Sequence, residues 1–170
     1  VSIVGFRVTN HPQQIAKRGA DDATDDRRTP PDLLAECLAL AGVDGVDLDA
    51  AASAANALAA LYFDRELNGL ALPWAFRVWC NPPYSQCAEW AEKAHHEWHA
   101  GNCTSITLLL PANRTEQRWW QDFIEPDRLN SQCRVWFLAR RRRFDRPGWE
   151  KPAKGDRPPF GLVVVGWKAP

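Results

Sequence analysis

The sequence predicts an α/β fold, a mixed and mostly parallel sheet that ends in a C-terminal antiparallel hairpin. Three observations predict it. Residues 76–80 and 104–110 are short, near-continuous apolar runs, the pattern of strands in a parallel sheet. A stretch of helical period lies between them, so strand alternates with helix. The last two apolar runs, residues 132–139 and 160–167, are joined by a Pro/Lys/Gly-rich stretch without helical period, which closes the sheet as a hairpin. At 170 residues the chain is expected to form one main domain, burying about two thirds of its unfolded surface.

The elements follow in order. Residues 1–28 lack strong periodicity and are expected to form an N-terminal arm, ordered only in part, ahead of a domain over 29–170. Thr29-Pro30-Pro31-Asp32 opens a helix, with Thr29 as its cap and proline in the first turn. Leu33, Leu34, Cys37, Leu38 and Leu40-Ala41 form its apolar stripe, and Gly42 stops it. The Thr29 hydroxyl and the free amides of that first turn also make a ready site for a carboxylate. Residues 43–49 read as a strand ending in Asp47-Leu48-Asp49. The Ala-rich stretch that begins at Ala50 predicts a helix through Asn56, Leu58 and Leu61 toward Phe63.

A loop through Asn68-Gly69-Leu70 and then Trp74 lead to the 76–80 strand. Residues 85–100 predict a helix, with Ala88, Ala91, Ala94 (or His95) and Trp98 on one face and mostly charged residues on the other, ended by Gly101-Asn102. Pro111 ends the 104–110 strand. A short helix over 116–124 carries Trp119 and Trp120, one expected buried and the other half exposed.

Asn81-Pro82-Pro83-Tyr84-Ser85 follows directly on the 76–80 strand. Two prolines can neither continue a ladder nor enter a helix interior, so the chain leaves the sheet as a stiff loop. Such a loop at the carboxyl end of a strand is where open α/β sheets place ligands. Asn81 offers an amide, Pro82 a carbonyl and Tyr84 a flat ring in fixed relation. That set suits a planar amine, its exocyclic nitrogen gripped and its ring stacked. Acids at the end of the preceding strand, Asp47 and Asp49, suit an ammonium or ribose hydroxyls, although such aspartates more often serve in turns and caps. The Gly-x-Gly loop that admits a pyrophosphate is missing. A nucleoside cofactor without phosphate, such as S-adenosylmethionine, does not need it.

Composition narrows the class further. A hydrophobic content of 45% with nine Trp excludes a chain disordered throughout. No apolar run reaches the ~20 residues of a membrane span, and no signal-peptide pattern opens the chain. Five cysteines, odd in number and without a Cys-x-x-Cys pair, read as reduced thiols of a cytoplasmic protein. His95, His96 and His99 share one predicted helix, but no carboxylate or thiol stands at a spacing that completes a ligand set, so no metal is expected. The net charge is zero yet unevenly spread. Residues 21–66 carry eleven acids against three arginines, and residues 127–157 carry a net of +6. The acidic part suits a cationic small ligand and the basic part a polyanion.

The chain resembles the class I methyltransferases, and more closely the small phage-type DNA N6-adenine methyltransferases, the Dam-like family. The resemblance runs from about residue 26 to 167. It is carried by Thr29-Pro30-Pro31, Asp47-Leu48-Asp49-Ala50-Ala51, Asn56-Ala57, Asn68-Gly69-Leu70, residues 78–85, residues 90–94, Leu109-Leu110-Pro111 with Arg114-Thr115, and Arg143-Phe144 before Pro159-Phe160. It implies a single Rossmann-like class I domain, S-adenosyl-L-methionine as cofactor and double-stranded DNA as partner. The target adenine is expected to be flipped out of the duplex, because N6 is unreachable in the stack. Asn81, Pro82, Pro83 and Tyr84 are the implied catalytic loop. Thr29, Pro30, Asp47, Asp49, Ala50 and Asn81 are the implied cofactor residues, and Arg114, Arg140, Arg141, Arg142, Arg143 and Phe144 the implied DNA contacts. No metal and no membrane enter this scheme, and a monomer in the cytoplasm of a bacterial or phage-infected cell is expected. The Asn-Pro-Pro-Tyr loop is shared with cytosine-N4 and other planar-amine methyltransferases. A non-catalytic nucleic-acid-binding domain on the same scaffold is the other alternative.

Overall fold

The computed structural model describes residues 28–145 and 158–169. The expected N-terminal arm and most of the basic loop after Phe144 lie outside the described residues. The chain runs α1 (Pro31–Ala41), β1 (Leu48–Asp49), β2 (Leu61–Tyr62), β3 (Phe76–Cys80), a 3-10 turn (Tyr84–Gln86), α2 (Cys87–His99), β4 (Cys103–Pro111), α3 (Arg118–Phe123), α4 (Glu125–Leu129), β5 (Cys133–Phe137) and β6 (Leu162–Lys168). The strands form one sheet in the order β2-β1-β3-β4-β6-β5. β2, β1, β3 and β4 pair in parallel, and β6 runs antiparallel between β4 and β5. The mixed, mostly parallel sheet with a closing antiparallel pair is as the sequence predicts.

The core has two halves, and strand alternation assigns each residue to one of them. Ile106, Leu108 and Leu110 of β4 and Val163, Val165 and Trp167 of β6 pack with Ala91 and Ala94 of α2 and with Trp120 and Ile124. Leu109, Leu162 and Val164 point the other way, toward Leu33 and Cys37 of α1. Burial on both faces explains why β4 reads as a continuous apolar run rather than an alternating one. Gly42 stops α1 as expected, at φ 67°, and the Val43 amide returns to the Leu38 carbonyl at 2.9 Å.

Three local expectations need correction. The segment after Ala50 is not a helix but a turn-rich excursion that returns as β2. The Ala52 amide bonds to the Phe63 carbonyl and the Phe63 amide to the Asp49 carbonyl, which ties the two ends of the excursion side by side. A run of alanines offers a helix little area to bury, and packing rather than propensity stabilises most protein helices. Thr29 does not cap α1, because Pro30 occupies the cap position without a side-chain hydrogen bond. Trp119 and Trp120 are both buried.

Candidate active site

The parallel strands present their carboxyl ends on one edge of the sheet, and the candidate site lies there. β3 delivers Asn81 and β1 delivers Asp49 to a shared cleft of about 260 Å³, its open mouth included. Thr29, Ala51, Asn56, Leu58 and Trp79 complete the lining.

Asn81 is held through one end of its amide. Its Nδ2 donates to Oγ1 of Thr29 at 3.1 Å, and Thr29 is itself buried. The other end, Oδ1, is buried and has no hydrogen-bond partner among the described residues. A buried acceptor left unpaired costs about 1–3 kcal/mol, so this is an atom waiting for a donor. Past Asn81 the two prolines leave the sheet, and the Gln86 amide bonds to the Pro83 carbonyl at 2.9 Å, closing the turn. Pro82 is buried, while Pro83 and Tyr84 are half-buried. The Tyr84 ring is wedged edgewise by Phe144 and Phe160, with centroids 6.3 and 5.6 Å away. Phe144 is therefore a buried wall behind Tyr84 rather than a surface side chain.

Asp49 is the second unsatisfied group. It is 3% exposed, its Oδ2 accepts the Leu58 amide at 3.1 Å, and its Oδ1 has no hydrogen-bond partner among the described residues. Burial pushes its carboxyl up to about 6, against the smaller opposing pull of the Leu58 and Ala51 amides. Ala50 follows, fully buried, its amide bonded to the Trp79 carbonyl. The Gly69 backbone lies so close to Ala50 that a Cβ at Gly69 would stand 2.1 Å from the Ala50 carbonyl oxygen.

Asp47 does not line the cleft. Oδ1 and Oδ2 take Nη2 and Nε of Arg77 at 2.7 and 2.8 Å, and the Arg77 hydrogen bonds hold its carboxyl at about 2. Arg77 stands near the start of β3, two residues before Trp79, so this pair belongs to the opposite edge of the sheet from Asn81. Pro30 leads into α1 beside Thr29. Arg114 is half-buried in the turn after β4, at the site's edge of the sheet.

The arginine run is divided. Arg140 and Arg141 are exposed, and Arg140 has φ 67°. Arg142 turns inward and pairs with Glu36 at 2.8 Å and Asp32 at 3.5 Å on α1. Arg143 is half-buried. Two hydrogen bonds between Arg28 and Asp145 dock the end of this run beside Thr29. The lining residues Ala51, Leu58 and Trp79 carry no chemical signal in the sequence. Ala51 and Leu58 are found only through the backbone excursion that the Ala-rich stretch conceals, and Trp79 only through the pairing of β3 beside β1.

The sequence model of the family described as DNA N-6-adenine-methyltransferase (Dam) matches residues 18–143. The chain belongs to that family. A DNA N-6-adenine-methyltransferase of Escherichia phage T1 is similar to it, 38% identical over 95 residues. That alignment takes in 55% of this chain and 37% of the phage protein, so the chain spans little more than a third of that relative's length. The family match covers the cleft, the Asn81 loop and the arginine run up to Arg143.

Proposed function

We propose that this chain transfers a methyl group from S-adenosylmethionine to the N6 amino group of adenine in DNA, with the base flipped out of the duplex. One observation carries the proposal. Asn81 has its amide nitrogen tied to Thr29 and its oxygen buried without a partner among the described residues. An acceptor so held, at the end of a strand and beside a stiff Pro-Pro turn, suits an exocyclic amine.

In this reading Asn81 Oδ1 and the Pro82 carbonyl accept the two N6 hydrogens. Doing so draws the nitrogen lone pair out of ring conjugation and aims it toward the cleft. Tyr84 stacks on the base, a contact worth on the order of 1–3 kcal/mol in nucleic-acid sites. Pro82 and Pro83 keep these groups in register, so the contribution is positioning and electrostatics rather than covalent catalysis. The residues present fit a nucleoside cofactor. Asp49 offers a hydroxyl or ammonium a buried oxygen that has no partner among the described residues, and Thr29 and Pro30 bring the α1 amides near. Bound S-adenosylmethionine supplies the electrophilic methyl group. Asp47, engaged by Arg77, is left out of this assignment. The strand order, with β6 antiparallel between β4 and β5, supports a single Rossmann-like class I domain. Arg114, Arg140, Arg141 and Arg143 are the proposed phosphate contacts on double-stranded DNA. All five cysteines are buried and none is in a disulfide, which fits a reducing cytoplasm.

Incubation with DNA and labelled S-adenosylmethionine, followed by hydrolysis to nucleosides, tests the proposal. N6-methyladenine is expected. Label in N4-methylcytosine would move the chain to a sister chemistry. No label, together with no binding of the demethylated cofactor by calorimetry, would leave a non-catalytic scaffold. Asn81→Ala is expected to abolish transfer while cofactor affinity stays nearly intact.

A further inference from the structure

The sheet edge remote from Asn81 holds a cluster that methyl transfer does not use. α2 runs away from the site, and toward its end it carries His95 and His99, one helical turn apart on one face. α4 brings Asp127 against them. Nδ1 of His95 lies 3.0 Å from Asp127 Oδ2, and Nε2 of His99 lies 3.0 Å from Oδ1. The three candidate ligand atoms all fall within 4.8 Å of one another.

We infer that His95, His99 and Asp127 form a binding site for one divalent transition-metal ion of zinc-like softness. Two imidazole nitrogens and a carboxylate oxygen are a common three-ligand set for zinc, with water in the fourth place. Histidines at i and i+4 are the helical spacing that aims two rings at one ion. Metal-ligand bonds of about 2.0–2.2 Å put neighbouring ligands of a tetrahedral ion about 3.3–3.6 Å apart, so the nitrogen-oxygen separations of 3.0 Å need only open by a few tenths of an ångström to admit one. Asp127 is oriented independently of the histidines, since the buried Trp167 indole donates to its Oδ2 at 2.8 Å. That is the outer-shell support that fixes a ligating carboxylate. The Asp127 side chain is 4% exposed, and His95 and His99 are its only ion-pair partners among the described residues. A cation there offsets a carboxylate that burial otherwise makes expensive. The His99 side chain is 39% exposed, so the ion and its water have a way in. The metal takes the place of the two ring N–H hydrogens that face Asp127, and the opposite ring nitrogens then carry the protons. The site would clamp the end of α2 to α4 and β6, and it does not depend on the methyl-transfer reading.

The test uses the untagged full chain, stripped with chelator. Calorimetric titration with Zn²⁺ and visible absorption with Co²⁺ are expected to show one ion per chain in a low-coordinate ligand field. Excess Zn²⁺ should raise the melting temperature by mass action. His99→Ala removes a partly exposed side chain without emptying the core, and it should weaken binding at least about tenfold with the circular dichroism unchanged. His95→Gln should do the same, and if it fails to fold, His99→Ala decides alone. Absence of binding overturns the inference, as does stoichiometric binding that His99→Ala leaves undiminished. Because the readout is metal binding by the chain alone, failure here leaves the methyl-transfer proposal standing.

Discussion

Asn81 and Thr29, fifty-two residues apart, are joined by a hydrogen bond of 3.1 Å that anchors the Asn81 amide nitrogen and leaves its oxygen facing the cleft. Without the Thr29 hydroxyl the amide nitrogen loses the contact that holds it away from the cleft. The wrong orientation would set a donor against the donor hydrogens of the substrate amine. Thr29→Val keeps the volume and removes the acceptor. Turnover is expected to fall roughly ten- to hundredfold, corresponding to about 1.4–2.7 kcal/mol of transition-state stabilisation, with KM for DNA little changed. Thr29→Ser should restore most of the activity. Steady-state kinetics of the two variants check this, and a purely structural Thr29 would not give the serine rescue.

Asp49 links function to stability with opposite signs. Its folded carboxyl titrates at about 6 rather than its ordinary 3.8, because burial penalises the charge. Between those values the folded chain holds more protons than the unfolded one, so stability falls as pH rises through the window. The burial penalty is relieved below 3.8 and fully present above about 6. It amounts to roughly 3 kcal/mol for a group this deeply buried. Asp49→Asn is therefore expected to be more stable than the parent at pH 8, with the gap closing toward pH 4, and to lose cofactor binding. Urea denaturation across that range, with calorimetry of the demethylated cofactor, measures both.

Much of this site was legible because it depends on local chemistry. Two prolines after an apolar strand dictate where the chain leaves the sheet, and Gly42 stops α1 in the left-handed conformation that glycine tolerates. What stayed hidden depends on long-range pairing. Asp47 and Asp49 look alike in sequence, yet Arg77 claims one and the cleft keeps the other. Arg142 resembles its three neighbours until α1 supplies Glu36. Asp127 stands 28 residues from His99, too far for any ligand spacing to reveal. The Ala-rich stretch misleads for a different reason: helix propensity is real there, but the hydrogen bonds that tie Ala52 and Phe63 into the sheet edge outweigh it.

Gly69 is expected to be intolerant of even one added methyl. The methyl would meet the Ala50 carbonyl oxygen at 2.1 Å and the Trp90 ring at 3.1 Å, and the nearer obstacle is backbone. Retreat is restricted, because the Gly69 carbonyl also accepts the Trp74 indole at 2.8 Å. Gly69→Ala should cost about 1–3 kcal/mol, the usual range for overpacking a rigid site. Moving Ala50 also moves Asp49, so cofactor affinity should fall together with the melting temperature. Thermal unfolding with and without the demethylated cofactor reads both effects.

The four consecutive arginines should divide into two functional groups. Arg140 and Arg141 are exposed, and each phosphate they neutralise releases counterions from DNA. Replacing both with alanine should weaken DNA binding across sequences and reduce the slope of log affinity against log salt by up to about two. Arg142 already spends its charge on Glu36 and Asp32. Arg142→Ala should leave the salt slope unchanged and reduce stability by about 1 kcal/mol or less, since the pair is partly open to solvent. Fluorescence anisotropy with one duplex over a range of salt concentrations separates the groups. A slope lowered equally by Arg142→Ala would show that Arg142 leaves α1 when DNA arrives. An unchanged slope in the double variant would place the DNA path elsewhere, with Arg114 on the turn after β4 the next side chain to replace.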